Sequence, residues 1–443
     1  MEQNRKLKLP LTAQIEITDK CNFRCQHCYL LDSDRELCPA KDENLSEDDE
    51  RIMRIAERLA DKNVFNIIIT GGEPMMRPAL LKRLVEYLTE RHMNVSINSN
   101  LTLMTDDILE CFVKNKIRNV LVSCPSGIKE EYNEITRTNA YHRFSENLSK
   151  LCKSGVRHSI NMVVNQINKD SVIKTAEFVK GIGSVNFGAT PMALNPLYPR
   201  KDLLLTTDEV GRMLEDLDRV SETLGMNIDV MEALPKCAIP EKLLLNHAYF
   251  VSRKCQAGLT VIAVSGQGEV RPCTHNVKSY GNILDEELEV IWERMEEWRD
   301  MTLVPEGCKE CMLLARCHGG CRINALTMNG RMNADDIWTC HERDMSEYLS
   351  GRPDEFSIDE ETRVKKIRGL KWRSEGDGMS VLSGASGVQC AFVSDEVLKL
   401  IDMIPEDGSI SVREIGEECD GNLESIENIL KHLVSKRLLK IIV

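Results

Sequence analysis

Short runs of β-branched residues alternate with longer segments of helical periodicity through the first half of the chain, which limits the fold more than any other feature. The predicted strands are residues 14–18, 64–70, 94–98, 119–123, 159–164 and 185–189. Predicted helices lie near residues 105–115, 141–153 and 169–181. A strand, a helix and another strand in succession form a parallel βαβ unit. About six such units favour an α/β fold built on a partial (β/α)6 barrel.

Three cysteines occupy one short loop directly after the first predicted strand. Cys21, Cys25 and Cys28 lie within eight residues, so a loop at the strand end would point their thiols at one place. A compact group of three thiolates suits an iron-sulfur cluster and leaves one iron of a four-iron cluster open to a small molecule. A structural zinc site is the alternative. It needs a fourth ligand, for which His27 is the nearby candidate.

The composition indicates a large protein of the reducing cytoplasm. The chain has 443 residues and 17 cysteines, and no apolar run approaches the ~20 residues that span a bilayer. Because disulfides are rare in the cytosol, clustered thiols in such a chain more often bind metal. The formal net charge of −13 disfavours broad contact with nucleic acid or anionic lipid. We therefore expect a cytoplasmic protein with no nucleic-acid or membrane partner.

A glycine-rich turn follows the second predicted strand, with the sequence Gly71-Gly72-Glu73-Pro74. Open α/β folds bind ligands at the carboxyl ends of their strands, where this turn would lie. The spacing C-x3-C-x2-C after the first strand, together with this turn after the second, resembles the radical S-adenosylmethionine (SAM) superfamily. The resemblance covers residues 10–230.

The resemblance implies a SAM site in the barrel mouth. In that superfamily the three cysteines hold a [4Fe-4S] cluster whose free iron is chelated by SAM, and electron transfer into SAM releases a 5'-deoxyadenosyl radical. By the same resemblance, the turn from Gly71 to Pro74 contacts the SAM amino group and Ser123 contacts the ribose. Arg137 matches an arginine that pairs with the SAM carboxylate. The chain lacks the aspartate of the Ser-x-Asp-Gly pattern that many relatives carry, because Pro125 stands there.

Eight further cysteines lie between Cys237 and Cys340. Seven of them match, position by position, the SPASM extension of radical-SAM enzymes that modify peptides and proteins, whereas a zinc ribbon would need four. The resemblance implies two auxiliary clusters, and so three [4Fe-4S] clusters in all. The outer auxiliary cluster would be ligated by Cys308, Cys311, Cys317 and Cys340. The inner one would be ligated by Cys255, Cys273 and Cys321.

The inner auxiliary cluster lacks an obvious fourth ligand. Relatives often supply another cysteine shortly after the first, and residues 259–264 contain none. Either Cys237 is the fourth ligand, which we favour, or one iron is open to substrate. Sulfatase-maturing relatives carry an aspartate, which acts as a base, just after the cysteine that matches Cys273. This chain has Thr274 and His275 there. His275 is interpreted as a surface residue, with an acid–base role as the alternative, and no catalytic residue is assigned.

Residues 357–443 are predicted to form a small winged-helix-like domain. Ser394, Ser411 and Asn422 are the expected caps of three helices, and short strands flank them. Acidic residues outnumber basic ones here, which argues against DNA binding. The pattern resembles the PqqD-like element to whose sheet edge a leader peptide adds a strand. A packing domain without this role is the alternative.

The three predicted domains are a radical SAM barrel (1–230), a SPASM domain (231–350) and the PqqD-like domain (357–443). This combination resembles maturases that abstract a hydrogen from a ribosomally made precursor peptide and form a thioether or carbon–carbon crosslink. The expected partners are that peptide, with its leader on the C-terminal domain, and an electron donor such as flavodoxin or ferredoxin. Tailoring of a tetrapyrrole-like cofactor and an iron-sulfur redox sensor are the alternatives.

Overall fold

The computed structural model describes residues 6–30, 45–247, 253–341, 357–384, 389–419 and 422–442. Residues 342–356, which join the second and third predicted domains, lie outside the described residues. In the described ranges, no helix combines the length and the apolar character needed to cross a lipid bilayer.

Six parallel strands form the centre of the fold. They are β1 (Thr12–Glu16), β2 (Asn66–Thr70), β3 (Asn94–Ser99), β4 (Asn119–Ser123), β5 (His158–Val164) and β6 (Asn186–Pro191). Neighbours in the chain are neighbours in the sheet, and Ile15, Ile69 and Ile97 lie side by side across the first three strands. All three isoleucines are fully buried, whereas Gln14 and Ser96, one residue away on their strands, face a central cavity. The predicted partial barrel is confirmed.

Helices connect the strands, as βαβ units require. They are α1 (Leu45–Asp61), α2 (Pro78–Glu90), α3 (Asp106–Lys114), α4 (Lys129–Thr136), α5 (Tyr141–Lys153), α6 (Val172–Ile182) and α7 (Thr207–Leu224). The helix expected at 169–181 starts later, at Val172. A turn precedes it, in which the Asn168 side chain accepts the Asn165 N–H and the Asn165 side chain accepts the Ile167 N–H. α7 begins with a capping box between Thr206 and Glu209.

The sheet is longer than the sequence predicted. β7 (Asn227–Asp229) extends it beyond β6, while β8 (Val261–Val264) pairs in parallel with β1 and continues into a hairpin with β9 (Val270–Arg271). The first strands of the predicted SPASM region therefore belong to the barrel sheet. These strands have two to four residues each, too few for a clear alternating pattern.

The rest of residues 231–341 is irregular and cysteine-rich. Its short helices are α8 (Glu241–Asn246), α9 (Leu288–Glu293), α10 (Leu314–Cys317) and α11 (Arg322–Asn329). Two buried indoles attach this region to the barrel, because Trp292 donates a 2.8 Å hydrogen bond to the Leu7 carbonyl and Trp338 a 3.0 Å hydrogen bond to the Leu205 carbonyl. Buried Trp N–H groups require such acceptors.

The C-terminal region has a core of its own. Its strands are β10 (Arg363–Lys366), β11 (Lys371–Gly376), β12 (Met379–Ser383), β13 (Cys390–Ser394), β14 (Ile410–Ser411) and β15 (Leu439–Ile442). Its helices are α12 (Asp395–Met403), α13 (Val412–Cys419) and α14 (Leu423–Ser435). The strands form two antiparallel sheets, β14-β10-β15 and β11-β12-β13. The three helices start directly after Ser394, Ser411 and Asn422, as predicted.

The sheet β11-β12-β13 lies between the barrel and the C-terminal helices. Successive residues of β12 point to opposite sides, so that Val381 joins the barrel core and Leu382 the C-terminal core. Arg373 on β11 donates hydrogen bonds to the carbonyls of Leu9 (2.9 Å) and Asn63 (3.2 Å), which precede β1 and β2. The C-terminal region therefore packs on the amino ends of the barrel strands.

Replacing Arg373 with alanine is expected to loosen this contact strongly. Arg373 pairs with Glu375 at 2.8 Å, and both side chains are at most 10% exposed. Removing the guanidinium leaves a buried carboxylate without its partner, which costs about 3 kcal/mol. Hydrogen exchange of β11 in the full chain should then accelerate by about a hundredfold. Arg413→Ala is the matched control, because that exposed arginine pairs with Glu361 in solvent and contributes about 1 kcal/mol or less. If both variants accelerated hydrogen exchange of β11 equally, the contact between Arg373 and the barrel would be contradicted.

Candidate functional site

The cysteine loop after β1 is held by the end of a neighbouring helix. The Arg24 N–H donates to the Thr136 carbonyl at 3.3 Å, and the Gln26 N–H donates to the Ile135 carbonyl at 2.9 Å. The thiols converge as predicted: burial raises the pKa of Cys25, and the neighbouring Cys28 and Cys21 raise it further. All three cysteines line one cavity.

The turn after β2 packs directly on this loop. The Gly72 N–H donates to the Thr18 carbonyl at 2.7 Å, and the Glu73 N–H donates to the Lys20 carbonyl at 2.8 Å. A Cβ atom on Gly71 would lie 2.2 Å from the Thr18 oxygen, and one on Gly72 would lie 2.0 Å from the Lys20 oxygen. The glycines are therefore required by the approach of two protein backbones. The sequence interpretation had assigned them to the approach of a ligand.

Glu73 links the loops that follow β2 and β3. Its carboxylate accepts hydrogen bonds from the Met75 N–H (3.1 Å), the Ser99 hydroxyl (2.8 Å) and the Asn100 N–H (2.8 Å). Burial raises the pKa of Glu73 to about 7, because desolvation outweighs these three hydrogen bonds. The Asn100 amide nitrogen in turn lies 3.9 Å from the Cys21 sulfur. This network fixes the cysteine loop relative to the strand ends.

A cavity of about 1190 Å³ occupies the barrel interior. It is bordered by Cys21, Cys25, Cys28, Gly71, Gly72, Glu73 and Ser123 from the predicted SAM site, and by Cys255, Cys273 and Cys321 from the predicted inner auxiliary site. Pro74 starts a buried turn beside the cavity and does not border it. Arg137 lies at the exposed end of α4 with a φ of 56° and does not border it either. Its pairing with SAM stays a prediction.

Several polar groups beyond the predicted cofactor contacts border the cavity. Arg24 and His27 border it, and neither the Arg24 Nε nor the His27 Nδ1 has a hydrogen-bond partner among the described residues. His275 also borders the cavity and contacts Tyr29, with 4.6 Å between ring centroids. The surface position expected for His275 is therefore wrong. Burial lowers its pKa to about 4, so its ring is neutral at physiological pH.

The three inner cysteines come from distant parts of the chain and meet at the cavity. Burial, together with a smaller contribution from the neighbouring Cys255, raises the pKa of Cys273 to about 12. Burial also raises the pKa of Cys321, with Glu232 and Cys255 among the neighbours that contribute. Glu232, which sequence reasoning did not single out, borders the same cavity as these three cysteines.

The outer cysteines form a second group that includes Cys237. The Cys237 sulfur accepts the Cys340 N–H at 3.2 Å. The Cys317 sulfur accepts the Lys236 N–H at 3.3 Å. Burial raises the pKa of Cys308 to about 12, with Cys317, Cys237 and Cys311 among the neighbours that add to it. The structure thus contradicts the prediction that Cys237 completes the inner site, because the chain folds residues 236–237 against Cys317 and Cys340.

The three cysteine groups, in the loop after β1, at the inner site and at the outer site, fit iron-sulfur clusters by their donor chemistry. Each brings three or more thiols to one place, and thiolates are the usual ligands of such clusters. In the described ranges, no three His, Cys, Asp or Glu side chains are close enough together to hold a single metal ion. The unpartnered Arg24 and His27 nitrogens fit a polar ligand beside the first group.

Comparison with known proteins agrees with this geometry. Residues 15–179 match the family model of the radical SAM superfamily. Residues 255–312 match the model of an iron-sulfur cluster-binding domain, SPASM. The chain contains a radical SAM domain and a SPASM domain. The radical SAM domain carries the cysteine loop, the Gly71–Gly72 turn and Ser123, while the SPASM match includes four of the inner and outer cysteines.

Individual relatives have varied activities. The chain is 23% identical over 336 residues to the antilisterial bacteriocin subtilosin biosynthesis protein AlbA of Bacillus subtilis, covering 74% of this chain and 70% of AlbA. It is 25% identical over 329 residues to the AdoMet-dependent heme synthase of Methanosarcina barkeri, covering 71% of this chain and 92% of that protein. Among solved structures, Streptococcus suis SuiB bound to S-adenosylmethionine is similar, with a TM-score of 0.60, 20% identity, and coverage of 75% of this chain and 77% of SuiB. That likeness supports the fold.

Proposed function

We propose that this chain is a radical SAM/SPASM maturase that abstracts a hydrogen from a ribosomally made precursor peptide and forms a thioether or carbon–carbon crosslink. One observation carries the proposal: a single cavity borders both Cys21, Cys25 and Cys28 and the inner cysteines of the SPASM region. A crosslink by net oxidation needs a radical source on one side of the substrate and an electron acceptor near it. The cavity provides room for a peptide side chain between the two groups.

The chain's own residues would bind the cofactors and keep water out. Cys21, Cys25 and Cys28 would hold a [4Fe-4S] cluster, which with bound SAM supplies a 5'-deoxyadenosyl radical. Glu73 would accept a hydrogen bond from the SAM amino group, and Ser123 would contact the ribose. The inner and outer cysteine groups would hold two auxiliary clusters. A flavodoxin or ferredoxin would supply the reducing electron.

The sheet β11-β12-β13 is the proposed binding site for the leader. In the described residues, β13 pairs on one side only, with β12. An unpaired strand edge presents N–H and C=O groups to which an extended peptide can add as a further strand. Streptococcus suis SuiB, which is similar in fold, has been solved bound to its precursor peptide SuiA, and this favours a peptide substrate here.

Tailoring of a tetrapyrrole-like cofactor is the second candidate. The heme synthase relatives favour it, and 92% of the Methanosarcina barkeri protein is covered by the match. The share of this chain that is covered does not separate the candidates, because it is 71% in this match and 74% in the match to AlbA. In an enzyme that modifies a precursor peptide, the C-terminal region would bind the leader. An enzyme that modifies a small cofactor does not need such a region.

The test is co-expression of the full chain with a short open reading frame from beside its gene, followed by mass spectrometry of the peptide. The expected result is a peptide lighter by two hydrogen atoms, with the crosslink located by fragmentation. The control is the same peptide expressed with the Cys21→Ala chain, which should leave the mass unchanged. Reductive incubation with SAM that yields no 5'-deoxyadenosine would contradict both candidates. Decarboxylation of an added porphyrin, with every neighbouring peptide unmodified, would favour the second.

A further inference from the structure

Two of the inner cysteines are each followed, three residues later, by a buried asparagine. Cys273 precedes Asn276, and Cys321 precedes Asn324. Asn276 is 2% exposed and Asn324 is fully buried. The Asn276 N–H donates to the Cys273 carbonyl at 3.3 Å and closes a turn, while Cys321 is the residue before α11 and Asn324 lies in the first turn of that helix. Each asparagine is therefore within one turn of an inner thiol.

The oxygen atoms fix the orientation of both side-chain amides. The Asn276 Oδ1 accepts the Lys278 N–H at 2.7 Å, and the Asn324 Oδ1 accepts the Leu194 N–H at 2.9 Å. Exchanging the oxygen and the nitrogen of either amide would set two donors against each other. The Nδ2 atom of each asparagine is therefore the one that points away from its backbone partner.

Both Nδ2 atoms are buried and have no hydrogen-bond partner within the ranges that the structure describes. A buried N–H donor without an acceptor destabilises a fold, and native proteins rarely leave one in that state. Two such donors beside two thiols of one group indicate acceptors that become available when the inner cluster is bound. The sulfurs around an iron-sulfur cluster are such acceptors, and hydrogen bonds to them help to set its reduction potential.

The cavity lining indicates which sulfurs are within reach. Cys273 and Cys321 border the cavity, whereas Asn276 and Asn324 do not. Each amide therefore lies on the protein side of its cysteine, away from the space that a cluster and a substrate would occupy. The cysteine sulfurs, rather than the inorganic sulfides, are accordingly the acceptors.

We propose that Asn276 and Asn324 donate hydrogen bonds from Nδ2 to the iron-bound sulfurs of Cys273 and Cys321 and so raise the reduction potential of the inner cluster. The inference rests on the proposed function, which includes that cluster. Reduction adds negative charge to a cluster, and N–H donors stabilise this charge on its sulfurs. A higher potential favours transfer of one electron from the substrate radical to the inner cluster, as the proposed net oxidation requires.

The test is a redox titration of the full-length chain with Cys21, Cys25 and Cys28 replaced by alanine, so that the iron present belongs to the auxiliary sites. After anaerobic reconstitution, the reduction of each cluster is followed by electron paramagnetic resonance. Asn276→Leu and Asn324→Leu should each lower one midpoint potential by about 59 mV, which corresponds to a tenfold change in the equilibrium constant of a one-electron reduction. The other midpoint, which belongs to the outer cluster, should stay at the parent value.

Aspartate variants distinguish a hydrogen-bond donor from a structural role. Asn276→Asp and Asn324→Asp keep the oxygen that accepts the Lys278 or Leu194 N–H, but an ionised carboxylate has no N–H to donate. At pH 8 both variants should therefore show the lowered midpoint. If the asparagines acted through their oxygen atoms alone, aspartate would restore the parent midpoint, and that result would overturn the proposal.

Asn165→Leu is the matched control. Asn165 is fully buried, its Oδ1 accepts the Ile167 N–H at 2.9 Å, and its Nδ2 is likewise unpartnered in the described part of the chain. It follows β5 and does not border the cavity, so both midpoints should match those of the parent. Unchanged midpoints in the leucine variants at 276 and 324 would overturn this proposal alone. A parent that binds iron for fewer than two clusters would overturn the auxiliary clusters of the proposed function and this inference with them.

Discussion

Full-length protein with Cys21, Cys25 and Cys28 replaced by alanine is expected to lose SAM cleavage completely while retaining iron. The three thiols meet in one loop at the cavity and would be the only protein ligands of the radical-generating cluster. The inner and outer groups come from residues 237–340, far along the chain from the loop that carries these three cysteines. Their ligands are untouched by the replacement. The measurements are 5'-deoxyadenosine production under reducing conditions and the iron content per chain.

Cys111→Ala is the matched control for this experiment. Cys111 is a buried cysteine on α3, where its sulfur lies 3.5 Å from the Asn115 side-chain amide, and it does not border the cavity. Its replacement should keep SAM cleavage at the wild-type rate, with a stability cost of about 1 kcal/mol. Complete loss of iron from the triple variant would mean that the clusters are not held by separate sets of cysteines.

Replacing Glu73 with glutamine is expected to weaken SAM binding by about tenfold to a hundredfold at pH 8. A hydrogen bond to a charged group contributes about 1.5–3 kcal/mol, and the amide removes the charge. In either orientation, the side-chain NH2 group of the new glutamine would face a backbone N–H, that of Met75 or that of Asn100. One hydrogen bond of the network would then be replaced by two donors that face each other. Equilibrium binding of SAM to the reconstituted protein measures the effect.

The pH dependence gives this prediction a second readout. Burial raises the pKa of Glu73 from 4.5 to about 7. Between these two pH values the Glu73 carboxyl is therefore protonated in the folded protein and ionised in the unfolded chain. The contribution of Glu73 to stability is therefore fully present below about pH 4.5 and falls as pH rises to about 7. Because an ammonium group favours the ionised carboxylate, SAM affinity of the wild type should fall as pH is lowered through 7.

Glu73→Gln should remove this pH dependence. Glu50→Gln is the control, since Glu50 is an exposed residue paired with Arg83 on the surface, and it should leave both the affinity and its pH profile unchanged. A wild-type affinity for SAM that is constant between pH 6 and pH 8 would contradict the role given to the Glu73 carboxylate.

Local patterns in the sequence predicted the regular part of the fold well. The helix at 141–153 and the strand at 119–123 have the predicted bounds, because each carries a clear period within a single element. The helices of the C-terminal region start at their predicted caps for a similar reason. β8 was missed because its four residues carry little pattern, and its pairing with β1 joins positions about 250 residues apart.

In the candidate site, too, the sequence predicted the features that depend on local spacing and missed those that depend on the fold. Cys21, Cys25 and Cys28 and the turn at Gly71 were recognisable because their spacing is local. Cys237 was assigned to the wrong group, since chain order placed it before the inner cysteines whereas the fold turns it toward Cys340. The cavity positions of His275 and Glu232 had no local signal.

The sequence by itself determined the order of βα units, the thiols available for clusters and the glycines at the strand end, because these depend on periodicity and on spacing within a few residues. Only the tertiary structure decided which distant cysteines share a site and which polar groups face the cavity. The reason is physical: such contacts depend on how strands from both halves of the chain enter one sheet. The addition of β8 to the edge beside β1 brings the SPASM cysteines to the cavity of the barrel.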